Sequence, residues 1–266
     1  MLGEFVRGAS CGLVLLCVGG VGALTIVVRE RRGPASHRLA AVLGVAALAL
    51  GAAAISGHTD VDGLDATTWV QAGLAASIAL VAAAATSRPE VIAAAIPLAL
   101  ALAATPGAAG HPHDSGVGPW LANAAHVAAA ALWTGGLAFV ALALVWSRGE
   151  RWTVASRVVP RFSTLAVGSV AVVLATGALS GYLQIRTWHA FWHTHYGVLL
   201  AVKLGLVLPL LALGGFNRRF AVPKLARQLA SPIERRRFVV AVSAELALVA
   251  VIVALTAQLA SSTPPS

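Results

Sequence analysis

The stretch Asn123-Ala-Ala-His126-Val-Ala-Ala-Ala-Ala-Leu-Trp133-Thr-Gly135-Gly136-Leu-Ala-Phe139 is an apolar run with one imidazole near its start. A polar side chain within a membrane-length apolar helix is costly and faces a bundle interior or a water-filled cavity, so His126 marks an inward face. Trp133, seven residues on, falls on the same face after about two helical turns. Gly135-Gly136 lets another backbone come close. The segment is therefore expected at the centre of a helical bundle.

Composition agrees with that setting. The 266 residues are 58% hydrophobic and 11% charged, with a mean hydropathy of +0.83, so the chain reads as an integral membrane protein. A crossing needs roughly 20 apolar residues, and eight runs qualify: Phe5–Val28, Leu39–Ser56, Thr68–Thr86, Val91–Thr105, Trp120–Trp146, Val158–Tyr182, His193–Phe216 and Phe238–Ala260. The fourth is short and carries Pro97, whose freed backbone group neighbouring helices can satisfy. Counting it as a crossing sorts the loops by sign. Sixteen of the nineteen Lys and Arg residues fall in one alternate set, and only Arg7 and Arg186 in the other, with Lys203 inside a helix. By the positive-inside rule both termini lie outside the cytoplasm. The net charge of +9 is then an orientation signal with affinity for anionic inner-leaflet lipid, and calls for no nucleic-acid partner.

The two halves resemble each other, which divides the chain into four-helix units at 1–119 and 120–266. Ser10–Leu24 aligns with His126–Val140 through paired glycines, Gly19-Gly20 over Gly135-Gly136. Arg38 opens the second run as Arg161 opens the sixth, and Ser56-Gly57-His58 closes the one as Ser180-Gly181-Tyr182 closes the other. Units with an even number of crossings run the same way, about an axis normal to the membrane.

Histidine placement is the sharpest chemical signal. His37 alone belongs to the basic side; His58, His111, His113, His126, His189, His193 and His195 lie on or near the opposite face. Imidazole there suits copper or zinc. Solvation accounts for loop histidines as readily, and the i, i+2 pairs His111/His113 and His193/His195 are a weak pattern suited to collecting metal. His58, at its helix end, and His126, about 9 Å below Trp120 by helical rise, are the expected ligands. Cys11 and Cys17 share the first run and read as small buried residues. Lys203 and Glu245 lie deeper. Counted from Asn217 and Arg237 they stand roughly 21 and 12 Å up their helices, so they read either as two stations on a polar path, with Trp133 and Tyr182, or as a water-bridged pair.

These residues in this order resemble the copper resistance protein D (CopD) family of bacterial inner-membrane proteins. The likeness runs through Asn123–Leu137, Arg161–Leu165 with Gly177–Gly181, Tyr196–Leu204 with Lys203, Asn217-Arg218-Arg219 with Pro223, Glu245-Leu246 and Leu259–Pro265. The resemblance implies copper carried inward across the membrane, with a periplasmic CopC-type carrier as partner. Met1 is the only methionine, so a copper path here relies on imidazole, backbone, or Cys11 and Cys17 rather than on thioethers. A haem held between paired histidines and an assembly factor without cargo are the alternatives. No nucleotide-binding motif or nucleophile with a positioned base points to an enzyme.

Overall fold

A computed structural model describes residues 2–30, 34–56, 66–108, 116–184, 192 and 194–261. The chain is an all-α polytopic membrane protein: eight helices are long and apolar enough to cross a membrane. They are α1 (Leu2–Glu30), α2 (Pro34–Ser56), α3 (Ala66–Ala85), α4 (Ala95–Ala108), α5 (Val117–Trp146), α6 (Arg151–Gln184), α7 (His195–Phe216) and α8 (Pro232–Ser261). A 3-10 segment, Pro89–Ala94, runs into α4 and brings that crossing to membrane length. Pro97 falls in the first turn of α4, directly after the 3-10 segment.

Helices α1 and α5 form the axis. They pack on each other along their length, with α2 and α4 against α1, and α4 and α6 against α5. The core is built from Val14, Val18, Val21 and Leu24 of α1 with Phe139, Val140 and Ala143 of α5. Side chains such as Val45, Leu80, Leu100 and Leu208 point outward, as a hydrocarbon surround allows.

Three boundaries differ from the apolar runs. First, α6 starts at Arg151 instead of Val158, because Val154, Ala155, Val158 and Val159 make a helical stripe that packs into the core through the charged stretch. Second, α8 starts at Pro232 instead of Phe238, set by a capping box. The Glu234 N–H donates to Ser231 Oγ and the Ser231 N–H to Glu234 Oε2, with Pro232 in the first helical position. Third, the chain does not leave the bundle at Asn217. A π-helical turn, Asn217–Ala221, and a short helix, Val222–Ala226, continue α7. Arg218 lies back on α6, donating from Nη1 to Ser163 O and Oγ, both at 3.1 Å.

Candidate functional site

The fold brings four polar side chains to one level near the histidine-rich end. His126 is nine residues into α5, Cys11 nine into α1, Lys203 eight into α7, and Thr176 eight from the end of α6. At the helical rise each lies roughly 12–14 Å from that end. His126 Nδ1 stands 2.9 Å from Thr176 Oγ1, whose own hydroxyl donates to Val172 O at 2.6 Å. The hydroxyl proton is thus committed, and the Thr176 oxygen accepts from Nδ1–H. The ring also hydrogen-bonds the Val173 backbone, and with Nδ1 protonated Nε2 would carry the lone pair, the arrangement found where a metal-binding histidine is oriented through its other nitrogen.

Gly177 makes room for the ring. A Cβ added there would stand 3.3 Å from His126 Cε1 and 3.7 Å from Nδ1. Lys203 is half-buried, and its ammonium lies within electrostatic range of both His126 and Cys11. Cys11 and Cys17 are both free thiols; Cys17 is fully buried and Cys11 only partly.

The pairing of helices differs between the halves in this region. Where α3 packs along α2 in the first half, α7 packs on α8 and makes little direct contact with α6 among the described residues. Thr176 stands on α6, Lys203 on α7 and His126 on α5.

Glu245 sits elsewhere. It is buried in α8 and accepts a 2.6 Å hydrogen bond from Asn217 Nδ2. Asn217 is therefore level with Glu245, and Lys203, fourteen residues above Asn217 on α7, stands roughly 21 Å higher. The two ionisable residues occupy separate levels, each with its own neighbours.

Of the other sequence candidates, Trp133 is buried in the core, 8% exposed, and Tyr182 is 79% exposed at the end of α6. His195 opens α7, its side chain outside what the structure describes. His58, His111, His113 and His193 lie outside the described residues. Among the described residues no three His, Cys, Asp or Glu side chains converge. Sequence reasoning missed Thr176, Gly177 and the partnership of Asn217 with Glu245. Gly177 belonged to a quoted stretch, but nothing there showed which ring it faces.

Two comparisons bear on this arrangement. Over 65 residues the chain is 42% identical to the copper transport protein CutJ of Bacillus subtilis (strain 168), a stretch that makes up 24% of this chain and 12% of that protein. The chain thus matches only about an eighth of that relative's length. No solved structure matches. The family model for copper resistance protein D matches residues 156–259, a span that holds Thr176, Lys203, Asn217 and Glu245 and leaves His126 upstream. From within α6 to near the end of α8, the chain is similar to the copper resistance protein D family.

Proposed function

We propose that this protein handles copper in the bacterial inner membrane, taking the ion at its histidine-rich outer face and passing it inward. Copper is cargo in this reading. The observation that carries it is the His126–Thr176 contact, which holds the imidazole through Nδ1 at the level of Cys11 and Lys203 near the histidine-rich end. His58 completes the site as second ligand. His111, His113, His193 and His195 collect metal from solution or from a CopC-type carrier.

Lys203 at this level and Glu245 farther in mark the path. A cation passing a lysine meets repulsion, so Lys203 acts as a barrier that discourages return, while the Glu245 carboxylate attracts the ion farther in. The charge bias of the loops supports the orientation, with the Arg-rich end in the cytoplasm and both termini outside. The match to the copper resistance protein D model and the likeness to a copper transport protein support the cargo.

The test is copper titration of the purified full-length protein, with metal content and a visible spectrum recorded together. Wild type should bind copper tightly and His126→Ala should not. A Soret band in the wild-type spectrum, or copper content unchanged in a His58→Ala, His126→Ala double variant, overturns the proposal.

A further inference from the structure

At the opposite, arginine-rich end, a cavity of about 240 Å³ lies between three segments that the proposed copper path does not use. The 3-10 turn Arg148–Glu150 contributes Gly149, the start of α6 Trp152 and Thr153, the turn after Val222–Ala226 Gln228, and the first turn of α8 Arg235. The guanidinium of Arg235 rests 5.0 Å from the centre of the Trp152 ring, which holds it in one orientation. Its Nε–H is buried and has no hydrogen-bond partner among the described residues. An unmet donor on a charged group is among the costlier features a protein retains, and the residue that carries it also lines the cavity.

The surroundings favour an anion. The carboxylate of Glu234, next in sequence, is taken up by Lys224 and by the Ser231 N–H. Arg151 is committed through Nε to Leu144 O at 2.9 Å. Gln228 adopts a left-handed backbone, φ 58°, and its side chain reaches Ser156 Oγ at 3.5 Å, so it closes one wall without offering a negative group. Trp152 and Thr153 belong to the first turn of the 34-residue α6, the positive end of its helix dipole. Arg236, Arg237 and Arg227 are exposed nearby and raise the local potential.

We propose that this cavity binds a phosphate group, held by the Arg235 guanidinium and the positive end of α6. Phosphate, more than a carboxylate, matches a guanidinium beside the positive end of a helix, because its three or more oxygens can meet both at once. The group comes either from inorganic phosphate or from the headgroup of an anionic lipid, whose phosphate lies at the level of this end of the bundle.

Two arms separate these sources, both on the full-length protein. In detergent, the melting temperature is followed against inorganic phosphate, with chloride at matched ionic strength as reference. In nanodiscs of phosphatidylglycerol or phosphatidylcholine, native mass spectrometry reads the lipid that stays bound. A saturable rise with inorganic phosphate assigns the free anion; retention of phosphatidylglycerol alone assigns the headgroup. Either response should vanish in Arg235→Gln and persist in Arg236→Gln. Gly149→Asp provides a second variant, since a Cβ there meets nothing within 4 Å: it should fold and lose the response because its carboxylate repels the anion. The proposal is overturned if wild type responds in neither arm, or if Gly149→Asp responds as wild type does.

Discussion

Gly19 of α1 and Gly135 of α5 contact each other's helices reciprocally: a Cβ added to Gly19 would overlap the carbonyl oxygen of Ala131, and one added to Gly135 would overlap that of Leu15. Gly19 and Gly135 are equivalent under the alignment of the two halves, and so are Leu15 and Ala131. When residue i meets j′ and i′ meets j, the contact has the form that a two-fold axis generates. It is the form expected if 1–119 and 120–266 are related units. Likeness extends to α4 and α8, each of which packs against both central helices, and stops at the pair α6 and α7, which lacks the close packing of α2 and α3. The departure falls beside His126.

Close approach at this crossing makes a clear expectation for stability. Gly19→Ala and Gly135→Ala each force a methyl into backbone, which cannot move aside as a side chain can. Overpacking of well-ordered cores costs about 1–3 kcal/mol, and a backbone clash belongs at or beyond the upper end. Thermal melts in detergent should show a large fall for both variants. Gly168→Ala and Gly205→Ala, where an added Cβ meets nothing within 4 Å, should melt like wild type. Equal melting temperatures across all four would mean that α1 and α5 do not cross here.

The hydroxyl behind His126 should be felt in copper affinity. Thr176→Val keeps shape while removing the acceptor for Nδ1–H, and loss of such a partner typically weakens metal binding about 10- to 100-fold. Thr176→Ser should restore most of it. Equilibrium competition with a copper chelator measures both, and a Thr176→Val variant with wild-type affinity would remove the orienting role.

Gly177→Ala offers an independent probe of the same ring. The new methyl would sit 3.3 Å from His126 Cε1, close enough to tilt the imidazole but not to unfold the helix. Copper affinity should drop while the melting temperature stays within a few degrees of wild type. A matched fall in both would make Gly177 a packing residue.

Much of this architecture was legible in the sequence because hydrocarbon imposes it. Eight apolar runs sufficed for eight helices, and paired glycines pointed to a close crossing, since both signals are local. The start of α8 has a local signal too, in Ser231-Pro232-Ile233-Glu234, which lies ahead of the apolar run and outside it. What could not be read depended on rotation between distant helices. Thr176 and Asn217 are unremarkable in sequence; their meaning comes from meeting His126 fifty residues away and Glu245 twenty-eight residues away. Asn217 also misled, because Asn-Arg-Arg resembles a membrane boundary. The helix continues past it through a π turn, and Arg218 is long enough to reach back along α6.

Glu245 and Asn217 allow charge to be separated from packing. Their 2.6 Å hydrogen bond is buried, and Asn217→Ala would leave the carboxyl group without that partner, at a cost of about 1–3 kcal/mol or more. Glu245→Gln has a different consequence. The amide oxygen still accepts from Asn217 Nδ2, so the fold should hold, but the negative charge is gone. If Glu245 draws copper inward, this variant in proteoliposomes should bind copper as wild type does and carry it across more slowly, while Glu245→Leu should lose stability as well. The π turn adds a reason to expect sensitivity here, because such turns interrupt regular helix bonding and recur at functional positions. Melting curves, copper titrations and vesicle uptake, made on the same preparations, give three separate readouts. Wild-type uptake by Glu245→Gln would reduce Glu245 to a structural partner of Asn217 and leave the inward path to be sought on other helices.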